Sequence, residues 1–337
     1  MKIIAYDDNP DFGGHQVMAC RGIEALAADP SIEIECMVHP ANTKLAERLR
    51  KSGIPVSPAQ ASLPKADLML CIQGDIAQST QGAKAARKAG IECIGYIALP
   101  HTRAAMGAKL GTLRDGFNQH LVHLPTRYIA ISESMAALLR KRGARQRIDI
   151  VPNGIECPGA PFTPHASLVT LGLLGRIEFN QKRQDFMVKT FCDVPKAFQN
   201  CRLAIAGDGP DRNRLEQLIS TCPRQNDIKL LDWQNDPEAF YSSIDLLAIP
   251  SRYEGVPLVM LEALARGIPV IGSNRDGMKD LLPAAWTFDP ETAGSLVAAL
   301  SRVRATWQND LAPLREKILA EHSLDAFQRN FRAAVLG

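Results

Sequence analysis

Short apolar runs alternate with stretches of helical periodicity along the whole chain. The runs in the first half are "MKIIAY", "IEIECMV", "ADLMLCI", "IECIGYIA", "RYIAIS" and "IDIVPNG", and those in the second half are "LVTLGLLG", "CRLAIAG", "IKLLDW", "DLLAIP" and "IPVIGS". Helical patterns between them cover residues 16–28, 45–50, 132–142 and 211–220. Because buried strands that do not alternate and are separated by helices form parallel sheets covered on both faces, the pattern predicts an α/β fold.

The alternation breaks once, in the segment "PNGIECPGAPFTPH" that begins at Pro152. Its prolines and glycines predict a linker between two doubly wound, Rossmann-like domains, over residues 1–153 and 154–320. Ligands of such folds bind at the carboxyl edges of the strands, so we expect the two domains to face a central cleft. Residues 321–337 have helical periodicity and are predicted to form a terminal helix that packs back toward the first domain.

Composition and charge exclude several classes of protein. The 337 residues suffice for two domains, and a net charge of +3 is too small to indicate a nucleic acid partner. The segment "RKRGARQR", residues 140–147, is a basic cluster. It is either a solvated helix end or a surface that approaches anionic lipid or an acidic substrate.

The eight cysteines are scattered singly along the chain and form no C-x-x-C pair. This spacing argues against a zinc site and against a redox dithiol, and we expect a reduced, cytoplasmic protein. The N-terminus turns acidic after a few residues and is predicted to be a strand, not a signal peptide. No apolar run approaches the ~20 residues that span a bilayer.

The segment "PSRYEGVPLVMLEALARGIPV" carries two glutamates, Glu254 in a loop and Glu262 inside an apolar helix. Pro257 is predicted as the first helical residue, and Gly267 as the residue that ends the helix. The free N–H groups of such a helix start bind phosphate or sugar hydroxyls. Carboxylates would accept hydrogen bonds from further hydroxyls of the same ligand, although Glu262 could also be an ordinary, partly exposed helix residue.

Two cations lie in another strand-to-helix loop, "LGLLGRIEFNQKRQD". Arg176 directly follows the strand, and Lys182 is predicted at the start of the next helix. Two cations at a loop of this kind suit a pyrophosphate, whose negative charge must be neutralised.

The segment "LAIAGDGPDRNRLE" places Gly207, Asp208 and Gly209 at a third turn of this kind, with Pro210 predicted to begin the helix. The dinucleotide fingerprint G-x-G-x-x-G fails here, because its third glycine is replaced by Arg212. A glycine-rich turn that lets the backbone approach a ligand is the better interpretation. The chain contains no D-x-D sequence and no histidine–carboxylate cluster with metal spacing, so no metal ion and no other cofactor is expected.

In the first domain, Gly13 and Gly14 follow the first strand and predict a tight turn whose N–H groups point at the cleft. His101 closes another strand at its carboxyl end. A single histidine is usually structural, but one at this edge is equally well a functional group.

Together these segments resemble the retaining glycosyltransferases of family 4, which have the GT-B fold of two Rossmann-like doubly wound domains. The resemblance covers nearly the whole chain and rests on the glycine pair, "IAISESM", "VPNGI", Arg176 with Lys182, "AGDGP" and the E-x7-E pattern of Glu254 and Glu262. It implies a nucleotide-sugar donor held mainly by the domain of residues 154–320, and an acceptor bound by the first domain.

The resemblance also implies roles for individual residues. Arg176 and Lys182 would bind the diphosphate, Glu262 the ribose, and Glu254 the donor sugar with the backbone of Gly255, Val256 and Pro257. His101 would lie near the transferred sugar, although the aspartate common beside it is Thr102 here. Gly13 and Gly14 would close on the phosphates or the acceptor. The turn "LLDWQND" would place Trp233 near the base, with Asp232 where the family often has glycine.

The function implied is transfer, with retention and without a metal, of a sugar from a nucleotide diphosphate to an acceptor hydroxyl. A UDP-sugar such as UDP-glucose is the default donor, with GDP open, and the acceptor is a glycan, a lipid-linked molecule or a small molecule. A sugar-nucleotide epimerase or hydrolase and a non-catalytic binding subunit are the alternatives. The basic, partly apolar segment "RAAMGAKLGTLRDGF" is compatible with peripheral contact to the inner face of a membrane, and equally with an ordinary helix.

Overall fold

The computed structural model describes residues 1–60, 63–234 and 236–337. The chain divides into two compact units. The first comprises Met1–Gly154 and Ser323–Gly337, and the second comprises Ile155–His322. The change of unit at residue 154 lies within the proline-rich segment, and the chain returns to the first unit for its last helix.

The first unit contains a seven-stranded parallel sheet with helices between the strands. Its strands are β1 (Lys2–Asp7), β2 (Glu33–Val38), β3 (Val56–Pro58), β4 (Leu68–Gln73), β5 (Glu92–Ile97), β6 (Arg127–Ala130) and β7 (Ile148–Ile150). Its helices are α1 (Gly14–Ala27), α2 (Thr43–Lys51), α3 (Thr80–Ala89), α4 (Gly111–Asn118), α5 (Glu133–Lys141) and α12 (Leu324–Leu336). The strand order is β3-β2-β1-β4-β5-β6-β7, so the winding reverses between β1 and β4.

The second unit repeats this architecture with a six-stranded sheet. Its strands are β8 (Thr170–Leu174), β9 (Arg202–Ala206), β10 (Ile228–Leu231), β11 (Leu246–Ile249), β12 (Val270–Ser273) and β13 (Thr287–Phe288). Its helices are α6 (Gln184–Asp193), α7 (Arg212–Ser220), α8 (Glu238–Ser242), α9 (Leu258–Ala265), α10 (Asp276–Leu281) and α11 (Ala293–Glu321). The order β10-β9-β8-β11-β12-β13, with all described pairs parallel, is the Rossmann order, and it reverses between β8 and β11.

These two doubly wound sheets confirm the predicted α/β class and its Rossmann-like units. The apolar runs become strands because both faces of each sheet are covered. Tyr6, Met69 and Cys71, for example, are fully buried in the core of the first unit. The short strands β3 and β13 were not predicted, since neither carries a long apolar run.

The terminal helix α12 packs within the first unit, against α1. The ring of Phe331 fills the space above Gly22 of α1, where an added Cβ atom would lie 2.5 Å from Phe331 Cε1. Phe331 also meets the ring of Tyr96 edge-on, with 5.5 Å between the centroids. Arg127 of β6 donates to the last carbonyls of the helix, including that of Val335 at 2.8 Å. Apolar packing and hydrogen bonds therefore both hold the chain end in this unit.

The expectation that the cysteines are all reduced is wrong for two of them. Cys192 at the end of α6 and Cys222 after α7 form a disulfide in the second unit. Their separation of 30 residues gives no motif, and they meet because α6 and α7 are neighbours. The other cysteines are free, and Cys157 is the one of these that is exposed. None of the described helices is both long enough and apolar enough to cross a membrane.

Candidate active site

The predicted donor-binding loops of the second unit leave adjacent strands at the reversal of the sheet. Strand β8 leads into residues 175–183, which carry Arg176 and Lys182, and β11 leads into residues 250–257, which carry Glu254. Because β8 and β11 are paired and parallel, both loops start at the same carboxyl edge. This reversal point is where open α/β sheets bind ligands.

Lys182 and Glu254 form an ion pair between these two loops, from Lys182 Nζ to Glu254 Oε1. The same carboxylate oxygen accepts a 2.8 Å hydrogen bond from the Ser251 hydroxyl. Glu254 is buried and Lys182 is partly exposed. The sequence predicted both residues in the site, and the structure brings them into direct contact.

The backbone around Glu254 is held by residues that the sequence did not single out. The Glu254 N–H donates to Asp276 Oδ2 at 2.9 Å, and the Gly277 N–H donates to the Gly255 carbonyl at 3.0 Å. The Ser273 hydroxyl donates to the Ser251 carbonyl at 2.6 Å. The end of β12 and the start of α10 therefore fix the loop after β11, which sets the direction of the Glu254 carboxylate.

Helix α9 begins one residue later than predicted. Pro257 has ψ 124°, an extended conformation, so it is the N-cap and not the first helical residue. A proline has neither an N–H nor a capping side chain, and no side chain caps this helix. The first N–H groups of α9, at Leu258 and Val259, are thus the part of the helix that an anion can approach, since those of Met260 and Leu261 donate to the Pro257 carbonyl. The helix ends as predicted, with Gly267 following it at φ 77°.

Glu262 lies on α9 and accepts a 2.6 Å hydrogen bond at Oε2 from the hydroxyl of Tyr241. Tyr241 is fully buried, and burial, followed by the Glu262 charge, raises the pKa of its hydroxyl well above the usual value. It therefore stays a hydrogen-bond donor. The guanidinium of Arg266 lies over the Tyr241 ring at 4.7 Å. Tyr241, which the sequence did not predict, thus fixes the rotamer of Glu262.

Arg176 is the more accessible cation of the pair. Its side chain is 56% exposed, with Nε 3.6 Å from Glu178 Oε2, a distance typical of a weak surface ion pair. Its carbonyl is held by Gln184 Nε2 at 2.8 Å, which anchors the backbone while the guanidinium stays in solvent. The Lys182 side chain is 28% exposed. Arg176 is therefore free to move toward a ligand, whereas Lys182 is already held in its ion pair with Glu254.

Gly207 and Gly209 have a packing role that the sequence did not reveal. Their φ angles are 152° and 159°. A Cβ atom at Gly207 would lie 1.9 Å from the Gly175 carbonyl oxygen, and one at Gly209 would lie 2.3 Å from that of Ile177. The turn after β9 is therefore pressed against the loop that carries Arg176. Asp208 is exposed and accepts from the Gly209 N–H at 2.8 Å.

Arg212, at the position where a dinucleotide fingerprint requires glycine, cross-links this region. It donates to the Gly207 carbonyl at 2.7 Å and to Asp232 Oδ1 at 2.8 Å. Pro210 precedes α7 by two residues and is not its first residue, because Asp211 is the N-cap. Trp233, predicted near the base, is 56% exposed; Asn235 of the same turn lies outside the described residues.

A second ionic contact ties the two site-forming loops together. Arg183 donates to both carboxylate oxygens of Glu291, at 2.9 and 3.0 Å, and Arg252 donates to Glu291 Oε1 at 3.0 Å. The hydrogen bond from Arg252, helped by that from Arg183, lowers the pKa of Glu291. Arg183 adopts φ 58°, a left-handed conformation just before α6, so α6 begins two residues after Lys182 and not at it. Glu291 therefore joins both loops at a second point.

The predicted residues of the first unit lie at the carboxyl edge of its own sheet. Gly13 is the N-cap of α1 with an extended φ of −151°, and Gly14 is the first helical residue. The Gly13 N–H donates to Gln16 Oε1 at 2.7 Å, so the glycine pair forms a helix start and not the tight turn with free N–H groups that was expected. His101, after β5, is buried, and its carbonyl accepts from Arg142.

Two titratable groups at this edge escaped the sequence-based prediction. Asp7 ends β1, and burial raises the pKa of its carboxyl to about 7, against hydrogen bonds from Asn9 and Gln16 that lower it. His15 lies in the first turn of α1, and burial lowers its pKa to about 4. The His15 ring covers Gly74, where an added Cβ would be 2.9 Å from His15 Cε1. In the described part of the chain, Asp7 Oδ2 and His15 Nε2 are buried without a hydrogen-bond partner.

Comparison with known proteins shows a match between part of the second unit and a family of glycosyltransferases. Residues 169–305 match the family model described as glycosyl transferases group 1. This match covers most of the second unit, including the loops of Arg176, Lys182, Glu254 and Glu262.

Curated relatives share parts of the chain. An uncharacterized glycosyltransferase of Methanocaldococcus jannaschii is 34% identical over 110 residues, which are 32% of this chain and 27% of that protein. The lipopolysaccharide core biosynthesis glycosyltransferase LpsD of Rhizobium meliloti is 28% identical over 208 residues, which are 57% of this chain and 56% of that protein. The chain thus spans at most about half the length of these relatives.

The fold is shared over the full length with a solved structure. Anabaena HepE in complex with UDP superimposes with a TM-score of 0.82 at 15% identity, covering 100% of both chains. The protein therefore has the GT-B fold of two Rossmann-like units.

Proposed function

We propose that this protein is a retaining glycosyltransferase that transfers a sugar from a UDP-sugar such as UDP-glucose to an acceptor hydroxyl in glycoconjugate or polysaccharide biosynthesis. The observation that carries the proposal is the Lys182–Glu254 ion pair at the reversal of the second sheet, beside the uncapped start of α9. The match of residues 169–305 to glycosyl transferases group 1 supports it.

The chemistry of this edge supports a nucleotide-sugar donor. A diphosphate requires cations and N–H donors, which Arg176, Lys182 and the first turn of α9 supply. A ribose and a hexose require acceptors, which Glu262 and Glu254 supply. The choice of UDP is supported by HepE, which shares the fold and has been solved with UDP and with UDP-glucose. The names of LpsD and of a lipopolysaccharide 1,6-galactosyltransferase of Escherichia coli support a glycan acceptor.

When the donor binds, the two residues of the ion pair contact different parts of it. Lys182 turns to a phosphate oxygen, and Glu254 accepts from hydroxyls of the sugar while Ser251 still holds its Oε1. The first unit binds the acceptor. Gly13 and Gly14 close on the phosphates or the acceptor, and His101 lies near the transferred sugar. The turn of Gly207, Asp208 and Gly209 lets the backbone approach the donor, and its two glycines also pack against the Arg176 loop. Trp233 lies near the base.

The transfer step separates charge. The bond between the anomeric carbon and the donor phosphate oxygen breaks, the acceptor oxygen bonds to the same face of that carbon, and its proton passes to an oxygen of the leaving phosphate. Arg176, Lys182 and the start of α9 stabilise the negative charge that develops on the diphosphate. In this proposal they do so without a metal ion, so chelation by EDTA leaves the rate unchanged.

The test is donor turnover by the purified chain. UDP-glucose, UDP-galactose, UDP-N-acetylglucosamine and GDP-mannose are first compared in a thermal-shift panel, since a cognate donor stabilises the folded state by mass action. The selected donor is then incubated with candidate acceptors, and free nucleotide, free sugar and product are measured. Transfer that is lost in Arg176→Ala and Lys182→Ala and kept in the exposed control Lys196→Ala supports the proposal. Release of free sugar without transfer would identify a hydrolase, and stabilisation without turnover a binding subunit.

A further inference from the structure

Helix α4 of the first unit turns large apolar side chains toward solvent. Leu110, Leu113 and Phe117 are 74%, 57% and 73% exposed. Leu113 and Phe117, four residues apart, lie on one face of the helix, and Leu110 directly precedes its first residue. Elsewhere in the described chain, the large hydrophobic residues that are exposed, Met1, Trp233 and Leu336, are far apart in sequence. Leu110, Leu113 and Phe117 are called the α4 patch below.

The opposite face of α4 is fixed to the protein, so the patch cannot turn inward. Gly111 is buried against the Ala104 backbone, with no room for a Cβ atom. Asp115 accepts the N–H groups of Arg103 and Ala104, at 2.8 and 3.0 Å, and also pairs with Arg142 at 3.3 Å. The apolar face is thus held outward by hydrogen bonds on the inner face.

Leu110 adds a backbone observation. As the N-cap of α4 it has φ 55° and ψ 29°, a left-handed conformation that favours glycine or asparagine. A leucine here gains nothing from burial and carries a conformational cost. The stability of the fold does not explain this leucine, and neither does solubility. An apolar environment outside the protein explains it.

Exposed basic side chains lie close to the patch in the sequence. Lys109 directly precedes Leu110, and Arg114 lies on α4 next to Leu113. The basic segment 140–147 lies beside α4 and the residues that follow it, because Arg142 bonds to Asp115 of α4 and Gln146 Nε2 donates to the Val122 carbonyl at 2.7 Å. Residues 103–123 and 140–147 contain eight lysines and arginines, of which Arg103, Arg142 and Arg147 pair with Asp75, Asp115 and Asp149. The other five are exposed: Lys109, Arg114, Arg140, Lys141 and Arg145.

We propose that the α4 patch is a membrane-docking surface that binds the face of a bilayer containing anionic phospholipid. Leu110, Leu113 and Phe117 enter the interface between headgroups and acyl chains, and the basic side chains pair with lipid phosphates. Exposed apolar side chains with exposed cations nearby match an anionic lipid surface in both respects. The proposal gives a place on the molecule to the membrane contact expected from the sequence, and it does not depend on the identity of the donor.

The test is co-sedimentation of the full chain with vesicles of phosphatidylcholine alone and of phosphatidylcholine mixed with phosphatidylglycerol. Leu113→Ser/Phe117→Ser is expected to lower the partition coefficient on mixed vesicles by about tenfold or more. Lys109→Glu/Arg114→Glu is expected to abolish the preference for mixed over pure vesicles. Leu336→Ser removes an exposed leucine elsewhere in the same unit and should bind like wild type. Because all substituted side chains are exposed, circular dichroism and Tm should stay at wild-type values.

Three results would overturn the proposal. The first is equal binding of wild type and Leu113→Ser/Phe117→Ser to mixed vesicles, and the second is no binding by either. The third is a wild-type dimer in solution that Leu113→Ser/Phe117→Ser converts to a monomer, because the patch would then bind a second copy of the chain. Turnover of UDP-sugar with a water-soluble acceptor is measured in parallel, so a failure of docking and a failure of the proposed transferase activity are seen separately.

Discussion

Lys182 and Glu254 lie 72 residues apart in the chain and form an ion pair across two loops of the second unit. Each side chain comes from a different strand, and the pair exists because β8 and β11 are neighbours at the reversal of the sheet. In the proposed enzyme this contact holds the ligand-free loop in place until the donor takes over both partners.

Lys182→Ala is expected to lower kcat/KM for the donor by about a hundredfold or more, because a cation facing the leaving diphosphate is lost. It should also lower Tm, since the buried Glu254 carboxylate is left without its partner. Adding Glu254→Gln removes that buried charge and should recover Tm but not activity. Measuring kcat/KM and Tm for the single and the double variant separates the effect on activity from the effect on stability. Restored activity in the double variant would contradict the role given to the ion pair.

Tyr241→Phe removes the hydroxyl that holds Glu262. We expect donor KM to rise about fivefold with little change in kcat, and the free energy of unfolding to fall by about 1 kcal/mol. Tyr128→Phe is the matched control, because its buried hydroxyl donates to the Val122 carbonyl in the other unit. Both variants should lose similar stability, and donor KM should change in Tyr241→Phe alone. Equal KM values in the two would remove Tyr241 from the site.

Gly207→Ala tests the contact between the turn after β9 and the Arg176 loop. The new Cβ would meet the Gly175 carbonyl at a φ that side chains rarely adopt, so we expect a loss of more than about 2 kcal/mol in unfolding free energy. Gly159→Ala, where nothing lies within 4 Å, should be close to neutral. Urea unfolding of both variants gives the comparison, and a stable Gly207→Ala would show that this turn moves freely.

Asp7 predicts a pH dependence of stability with a defined sign. Its folded pKa of about 7 lies above the ordinary value of 3.8, so the folded protein keeps a proton that the unfolded chain releases. Its contribution to stability therefore falls as pH rises from about 4 to about 7, by up to about 4 kcal/mol. Asp7→Asn should gain stability relative to wild type across this window. Denaturation curves of both proteins at pH 5 and pH 8, each about one unit above one of the two pKa values, test this; a constant difference would contradict it.

Much of the fold follows from the sequence because buried parallel strands leave plain apolar runs. The site loops were recognisable for the same reason, since charges such as Arg176 directly follow such runs. The contact between Lys182 and Glu254 could not be predicted from the sequence, because strand order is decided by packing across the whole sheet. Helix α11 was missed as well, and it contains Pro313, a residue that usually ends or kinks a helix.

The residues that support the site were hidden for a different reason. Tyr241 and Asp276 act through hydrogen bonds to Glu262 and to the Glu254 backbone, and neither belongs to a motif. Likewise, the disulfide of Cys192 and Cys222 depends on the packing of α6 against α7 and leaves no spacing signal. Such partners can be identified only when the fold shows which residues are neighbours in space.

Calorimetric titration of UDP into the purified chain tests the central claim most directly. We expect UDP to bind wild type and the Lys196→Ala control with the same Kd. Arg176→Ala and Lys182→Ala should each weaken binding by about tenfold or more, because each removes a charged contact to the diphosphate. Equal UDP affinity in wild type and in both site variants, or no UDP binding by any of them, would contradict the assignment of the donor site to this edge of the second unit.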